Sequence, residues 1–122
     1  VLAGLSNGGR GVTLAWADQP TRFRGIICFS PILHPEAVIA AHRNQRVESP
    51  TSLLVIHGQL DRRIPEPAIQ GAVDSLDAAG FDCTYRTFSA EDHFLFFSQR
   101  SEIMEIVDSW LNATSAKSEG AN

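Results

Sequence analysis

The sequence predicts an α/β fold, a mainly parallel sheet with helices on both faces. Three observations carry that reading. Short apolar runs alternate along the chain with amphipathic segments of helical period, as they do in parallel α/β sheets. Two of the runs are apolar at every position, which suits strands covered on both sides rather than one. No internal repeat and no linker composition divides the chain.

The elements are taken in chain order. Val1–Leu5 reads as the end of a strand, and a mixed but mostly apolar stretch from Gly9 to about Ala17 reads as a buried helix. Gly25–Phe29 is the second strand, Pro35–His42 a short helix, and Arg43–Pro50 a polar, irregular stretch. Ser52–Ile56 is the third strand. Ala68–Ala79 places Ile69, Ala72, Val73 and Leu76 on one stripe, and Gly80 stops the helix. Cys83–Phe88 alternates more than the other strands and belongs nearer the sheet edge. Ser98–Leu111 gathers Ile103, Ile106, Val107, Trp110 and Leu111 on one face, the pattern of a helix docked on a sheet. The domain is read as residues 1–112, and the small, polar residues 113–122 as a disordered tail.

Composition removes several function classes. The 122 residues are 43% hydrophobic and 20% charged, ordinary for a globular protein. A net charge of −4, with ten basic residues scattered along the chain, leaves no footprint for nucleic acid. No run of about eighteen apolar residues exists to span a membrane. Cys28 and Cys83 fit no metal-ligand spacing, and both read as small core residues. His34 and His42 have no carboxylate or thiolate at ligand spacing, so no metal site is expected. The chain opens on Val1 within a strand, without a signal-peptide pattern, and is expected to be the C-terminal piece of a longer protein.

The chemistry-bearing pattern is Gly4–Leu5–Ser6–Asn7–Gly8, a G-x-S-x-G sequence between an apolar strand and a helical segment. A sharp strand-to-helix turn strains the Ser6 backbone and lifts its hydroxyl above the sheet. Glycines flank the serine because a Cβ at either position is expected to collide across the turn, and Gly9 allows close packing at the helix start. The Asn7 N–H, at the helix N-terminus, is placed to donate to an oxyanion. A phosphate-binding loop fails on Arg10 and Gly11, which stand where Lys and Ser/Thr are required. A dinucleotide fingerprint fails on Leu14.

A serine nucleophile needs a base, and the base needs a carboxylate to orient it. Asp61 lies just beyond the third strand and His93 in the loop after the fourth. Parallel strands bring these loops to the same carboxyl edge as Ser6. The chain then resembles the α/β-hydrolase family in three places: G-L-S-N-G-G at the nucleophile turn, L-L-V-I-H-G-Q-L-D-R-R-I-P around the acid, and D-H-F after the last strand. The resemblance runs to about Asn112 and is strongest toward dienelactone-hydrolase-like and carboxylesterase-like enzymes and the catalytic domain of prolyl-oligopeptidase-like peptidases. It implies the C-terminal half of an α/β-hydrolase fold, with Ser6 as nucleophile, Asp61 as orienting acid and His93 as general base. The activity implied is serine hydrolysis through an acyl-enzyme, on a small-molecule ester first and a peptide second, without cofactor or metal. A non-catalytic binding scaffold is the alternative.

Two departures from the family pattern matter. Asp92 stands where many members have Gly, and would favour the protonated imidazole if it pointed inward. Members also carry roughly four further strands upstream, including the loop that gives a second oxyanion N–H. Lacking that donor, worth about a hundred- to a thousand-fold in rate, and the strands that would cover the sheet edge and several apolar helix faces, the 122 residues alone are expected to be nearly inactive and poorly stable.

Other residues carry weaker signals. His57 is a structural histidine bonded to backbone, and His42 belongs to a solvated surface segment. His34, on the same edge as Ser6, is a candidate for the substrate pocket. Arg62 and Arg63 are expected in loop salt bridges. The run Phe94–Phe97 is mostly core beneath the last helix, with Phe94 or Leu95 as a wall of the acyl pocket.

Overall fold

The computed structural model describes residues 1–44 and 51–120. Its elements are β1 (Leu2–Leu5), α1 (Asn7–Asp18), β2 (Gly25–Phe29), α2 (Pro35–Asn44), β3 (Ser52–Gly58), α3 (Glu66–Ala78), β4 (Asp82–Phe88), α4 (Leu95–Ser98) and α5 (Arg100–Gly120). The four strands form one sheet in the order β1-β2-β3-β4, every pair parallel. All residues of β2 and β3 are buried, whereas β4 is only half-buried and stands at an edge.

Strand order determines where the helices go. Parallel crossovers are right-handed, so three steps in one direction put all three crossover helices on one face. Val12 and Trp16 of α1, Val38 of α2 and Ile69, Val73 and Leu76 of α3 accordingly pack on Ile26, Cys28, Leu53 and Val55. The alternate residues of the same strands, Ile27, Phe29, Leu54 and Ile56, point the other way. That second face is closed by Leu95 of α4 and by Ile103, Val107 and Trp110 of α5. Burying each such side chain stabilises by about 1.5–3 kcal/mol, more than helix propensity can contribute per residue. The fully apolar pattern of β2 and β3 is thus explained by two covered faces.

Several expectations need correction. The last helix is two, a single turn over Leu95–Ser98 and then α5, with Gln99 between them at φ −121°. α5 continues to Gly120, so the tail expected to be disordered is helical as far as the described residues reach. No proline or glycine interrupts the chain from Arg100 to Glu119, and the docked first half of α5 nucleates its second half. Arg43 and Asn44 close α2, and the rest of the stretch read as irregular, 45–50, lies outside the described residues. His42 is not a solvated residue: its Nδ1 donates to the Val38 carbonyl (2.8 Å), and its ring packs edge-on against Phe81 and Trp16, 4.7 and 5.7 Å between centroids. Cys28 is buried as expected, but Cys83 only partly. Gly80 does close α3, in the left-handed region at φ 96°.

Candidate active site

Ser6 stands between β1 and α1 with φ 56° and ψ −117°, a conformation that L-residues rarely hold. Three backbone bonds keep it there. Its N–H donates to the Phe29 carbonyl (2.9 Å), and its carbonyl accepts from Gly9 (2.9 Å) and Ile32 (3.1 Å). A Cβ at Gly4 would lie 2.5 Å from the Gly8 carbonyl oxygen and 2.7 Å from Val12, so the turn requires glycine there. The same expectation fails at Gly8, which faces open space, and nothing in the structure explains a glycine at that position.

Asp61 is held by the turn after β3. Its N–H donates to the Gly58 carbonyl (3.2 Å), and its Oδ1 accepts from the backbone N–H groups of Arg63 (2.9 Å) and Ile64 (2.8 Å). That leaves Oδ2, which meets Nδ1 of His93 at 2.8 Å. Burial pushes the Asp61 carboxyl up. The Ile64 N–H, the His93 hydrogen bond and the charges of His93 and His57 outweigh it, and hold the group below the usual carboxylate range.

The far nitrogen of His93, Nε2, lies 2.9 Å from Ser6 Oγ. With Nδ1 donating to Asp61, Nε2 is the acceptor of the serine hydroxyl, a tautomer assigned from the network. Side chains as far as 87 positions apart in the chain therefore make one continuous relay. The arrangement can move the serine proton onto an imidazole whose resulting charge faces a carboxylate. Asn7 opens α1, where the helix offers no acceptor for its N–H. Asp92 does not turn toward the ring: it is exposed, and its Oδ1 accepts from the Phe94 N–H (2.9 Å). Glu91 is likewise engaged elsewhere, with Ser98 (2.6 Å) and Gln99 (2.7 Å).

The pocket candidates divide. Phe94 is half-exposed and sets its ring edge-on to His93, 5.7 Å between centroids. Leu95 is fully buried in the core beneath α5, because the single turn of α4 points it inward. His34 lies beside Glu36 (Nδ1 to Oε1, 3.5 Å), and no hydrogen bond or ion pair among the described residues joins it to Ser6 or His93. Neither Arg62 nor Arg63 forms the expected salt bridge among the described residues; the Arg63 guanidinium lies over the Phe94 ring instead, 4.9 Å from its centroid. His57 is structural as expected, its Nε2 2.8 Å from the Ile64 carbonyl.

Sequence reading missed Ser30. It is fully buried at the end of β2, and its Oγ donates to the His93 carbonyl (3.1 Å). No local signal marks it, since its partner is 63 residues away. Neither cysteine competes as a nucleophile. Burial pushes the Cys28 thiol up to about 12, and burial with the nearby Asp77 and Asp82 pushes Cys83 up to about 11, so neither offers a thiolate near neutral pH. No group of three His, Cys, Asp or Glu side chains that could hold a metal ion occurs among the described residues, and no helix there is long and apolar enough to cross a membrane.

Comparison with known proteins bears on the family and the fold. A model of the prolyl oligopeptidase family matches residues 35–118. No curated protein matches the chain by sequence. Among solved structures, acyl-protein thioesterase 2 of Zea mays superposes with a TM-score of 0.74 at 20% identity, over 92% of this chain and 54% of that one. A CIB-like hydrolase of Thermoplasma acidophilum gives 0.71 at 18% identity, over 91% and 49%. Esterase PE8 gives 0.63 at 26% identity, over 75% and 41%. The chain thus spans about half the length of the proteins it resembles, and its four-stranded sheet is part of an α/β-hydrolase fold.

Proposed function

The chain belongs to the prolyl oligopeptidase family, and from that premise we propose that it carries the triad of a serine hydrolase working through an acyl-enzyme. The observation that supports this reading is the unbroken relay Ser6 Oγ–His93 Nε2 (2.9 Å) and His93 Nδ1–Asp61 Oδ2 (2.8 Å). Ser6 Oγ bonds to the substrate carbonyl carbon while its proton passes to His93. The Asn7 N–H donates to the oxyanion that forms. His93 then returns the proton to the leaving group as the acyl bond breaks, and water releases the acid by the same two steps in reverse. Asp61 fixes the tautomer and stabilises the imidazolium. Phe94, at the flank of the imidazole, forms one wall of the substrate pocket.

A carboxylic ester or thioester is the first substrate class, favoured by the likeness to esterase PE8. A peptide bond is the second reading, favoured by the family match. A fluorophosphonate probe on the full-length protein tests the chemistry: labelling that disappears in Ser6→Ala is expected, and absence of labelling leaves a non-catalytic scaffold. Matched p-nitrophenyl esters and prolyl peptide amides then separate the two substrates by kcat/KM.

A further inference from the structure

Among the described residues, two that are not glycine hold the left-handed backbone region, Ser6 at φ 56° and Ser30 at φ 47°. They are neighbours by register. β1 and β2 pair in parallel with Leu5 opposite Phe29, so each serine comes directly after the last residue of its strand, at the carboxyl edge. At Ser6 the conformation presents a nucleophile. Ser30 presents nothing to solvent, being fully buried.

Glycine would hold φ 47° without steric cost, whereas serine holds it with strain. What serine adds is one hydroxyl, and that hydroxyl is bonded to the His93 carbonyl at 3.1 Å. The Ser30 N–H is bonded in turn to the Ile56 carbonyl on β3 (2.9 Å). Ser30 therefore joins the ends of β2 and β3 to the loop that carries His93. The imidazole is aimed from its ring by Asp61, but ring aim alone does not set how far the backbone stands from Ser6. In that loop the neighbouring ties are from Leu60 N–H to the Glu91 carbonyl (2.9 Å) and from Leu95 N–H to the Asp92 carbonyl (3.2 Å). The first holds Glu91, and the second closes a turn from Asp92 to Leu95 across His93 without bonding to it. The Ser30 bond holds His93 itself.

We propose that Ser30 is a positioning residue, its buried hydroxyl anchoring the His93 backbone so that Nε2 stays within hydrogen-bond reach of Ser6 Oγ. The proposal rests on the triad reading above. A near-attack arrangement tolerates little drift, and a misplacement of about 1 Å costs on the order of a hundredfold in rate.

Two substitutions in the full-length protein separate positioning from mere stability. Ser30→Ala keeps the strain and loses the hydroxyl; Ser30→Gly loses both. Each is expected to lower kcat by about tenfold on a neutral ester, with KM within about twofold, because an interaction acting on the chemistry is removed. Thermal unfolding is expected to place the glycine variant at or above the parent and the alanine variant below it, so that activity and stability part company. The His93 Nδ1 proton shared with Asp61, read by NMR, is expected to shift or exchange faster in both variants. A glycine variant with the parent's kcat, or with an unaltered Nδ1 proton, overturns the proposal. Loss of Ser6-dependent labelling in the parent would instead sink the triad reading, and the NMR signal would still decide whether Ser30 anchors His93.

Discussion

Oδ2 of Asp61 stands between two imidazoles, 2.8 Å from Nδ1 of His93 and 3.5 Å from Nε2 of His57. Both rings are largely withdrawn from solvent, His57 completely. Proximity to a carboxylate therefore does not tell them apart; the second nitrogen does. In His93 it reaches Ser6 Oγ at 2.9 Å, so a proton can pass between the serine hydroxyl and the ring, as the proposed mechanism requires. In His57 it is buried and has no hydrogen-bond partner among the described residues, while Nε2 is committed to the Ile64 carbonyl (2.8 Å). On the proposed mechanism one ring is a conduit, and the other is a clamp on the turn that offers Asp61 its two backbone donors. A buried histidine beside an acid is catalytic only when its other edge opens onto chemistry.

The sharpest way to break this comparison is to delete both rings in turn. His93→Ala and Ser6→Ala are each expected to lower kcat/KM by on the order of 10⁴- to 10⁶-fold, with the double variant little worse than either, because they act as a unit. Asp61→Asn is expected to cost about 10⁴-fold by presenting the wrong tautomer to Nδ1. Ester hydrolysis by the full-length protein measures all of them. His57→Leu is expected to retain activity within about tenfold when folded, since it touches no reacting atom. An equal loss in His57→Leu and His93→Ala, with both proteins folded, would dissolve the distinction.

Stability is expected to reverse the ranking. Removing His57 leaves the part-buried Ile64 carbonyl without that bond and loosens the Asp61 turn, a loss of about 2 kcal/mol. Gly58, the next residue, shows how closely the two regions approach. A Cβ there would lie 2.6 Å from the Asp92 carbonyl oxygen, in the loop that delivers His93 to Asp61. Gly58→Ala is expected to cost about 3 kcal/mol, because the neighbour is backbone and cannot step aside. Denaturant midpoints for Gly58→Ala, His57→Leu and His93→Ala check the order, with the smallest shift in the last.

The legibility of these regions in the sequence differed for physical reasons. β2 and β3 could be read because both faces are covered, leaving every position apolar. That Ser6, Asp61 and His93 meet could be read because a parallel sheet sends each post-strand loop to one edge, and the three side chains are hydrogen-bonded there. His57 could be assigned to backbone from its place before Gly58. His42 could not, since its packing depends on Trp16 and Phe81, contributed by distant segments. Ser30 was hidden twice over, by a left-handed conformation that favours no serine and by a partner far along the chain. Phe94 and Leu95 could not be told apart because only the single turn of α4 settles that Leu95 faces the core and Phe94 does not. Patterns set by one element's environment are visible locally, and contacts between elements are not.

The gentlest probe is pH, and its sign is set by Asp61. The folded carboxyl lies below its ordinary range, so as pH falls the unfolded chain takes up the proton first. The stabilisation is therefore complete above the unfolded value of about 3.9, fades beneath it, and is gone once the folded carboxyl is itself protonated. Asp61→Asn has no such proton to bind, so its urea midpoint is expected to fall less steeply than the parent's between about pH 4 and pH 2. His57→Leu removes one of the charges that hold the carboxyl down but leaves the Ile64 and His93 bonds, so its curve should stay closer to the parent's than to that of Asp61→Asn. If the His57→Leu curve instead matched that of Asp61→Asn, His57 would be a principal electrostatic partner of the acid, and the division between conduit and clamp would need to be redrawn.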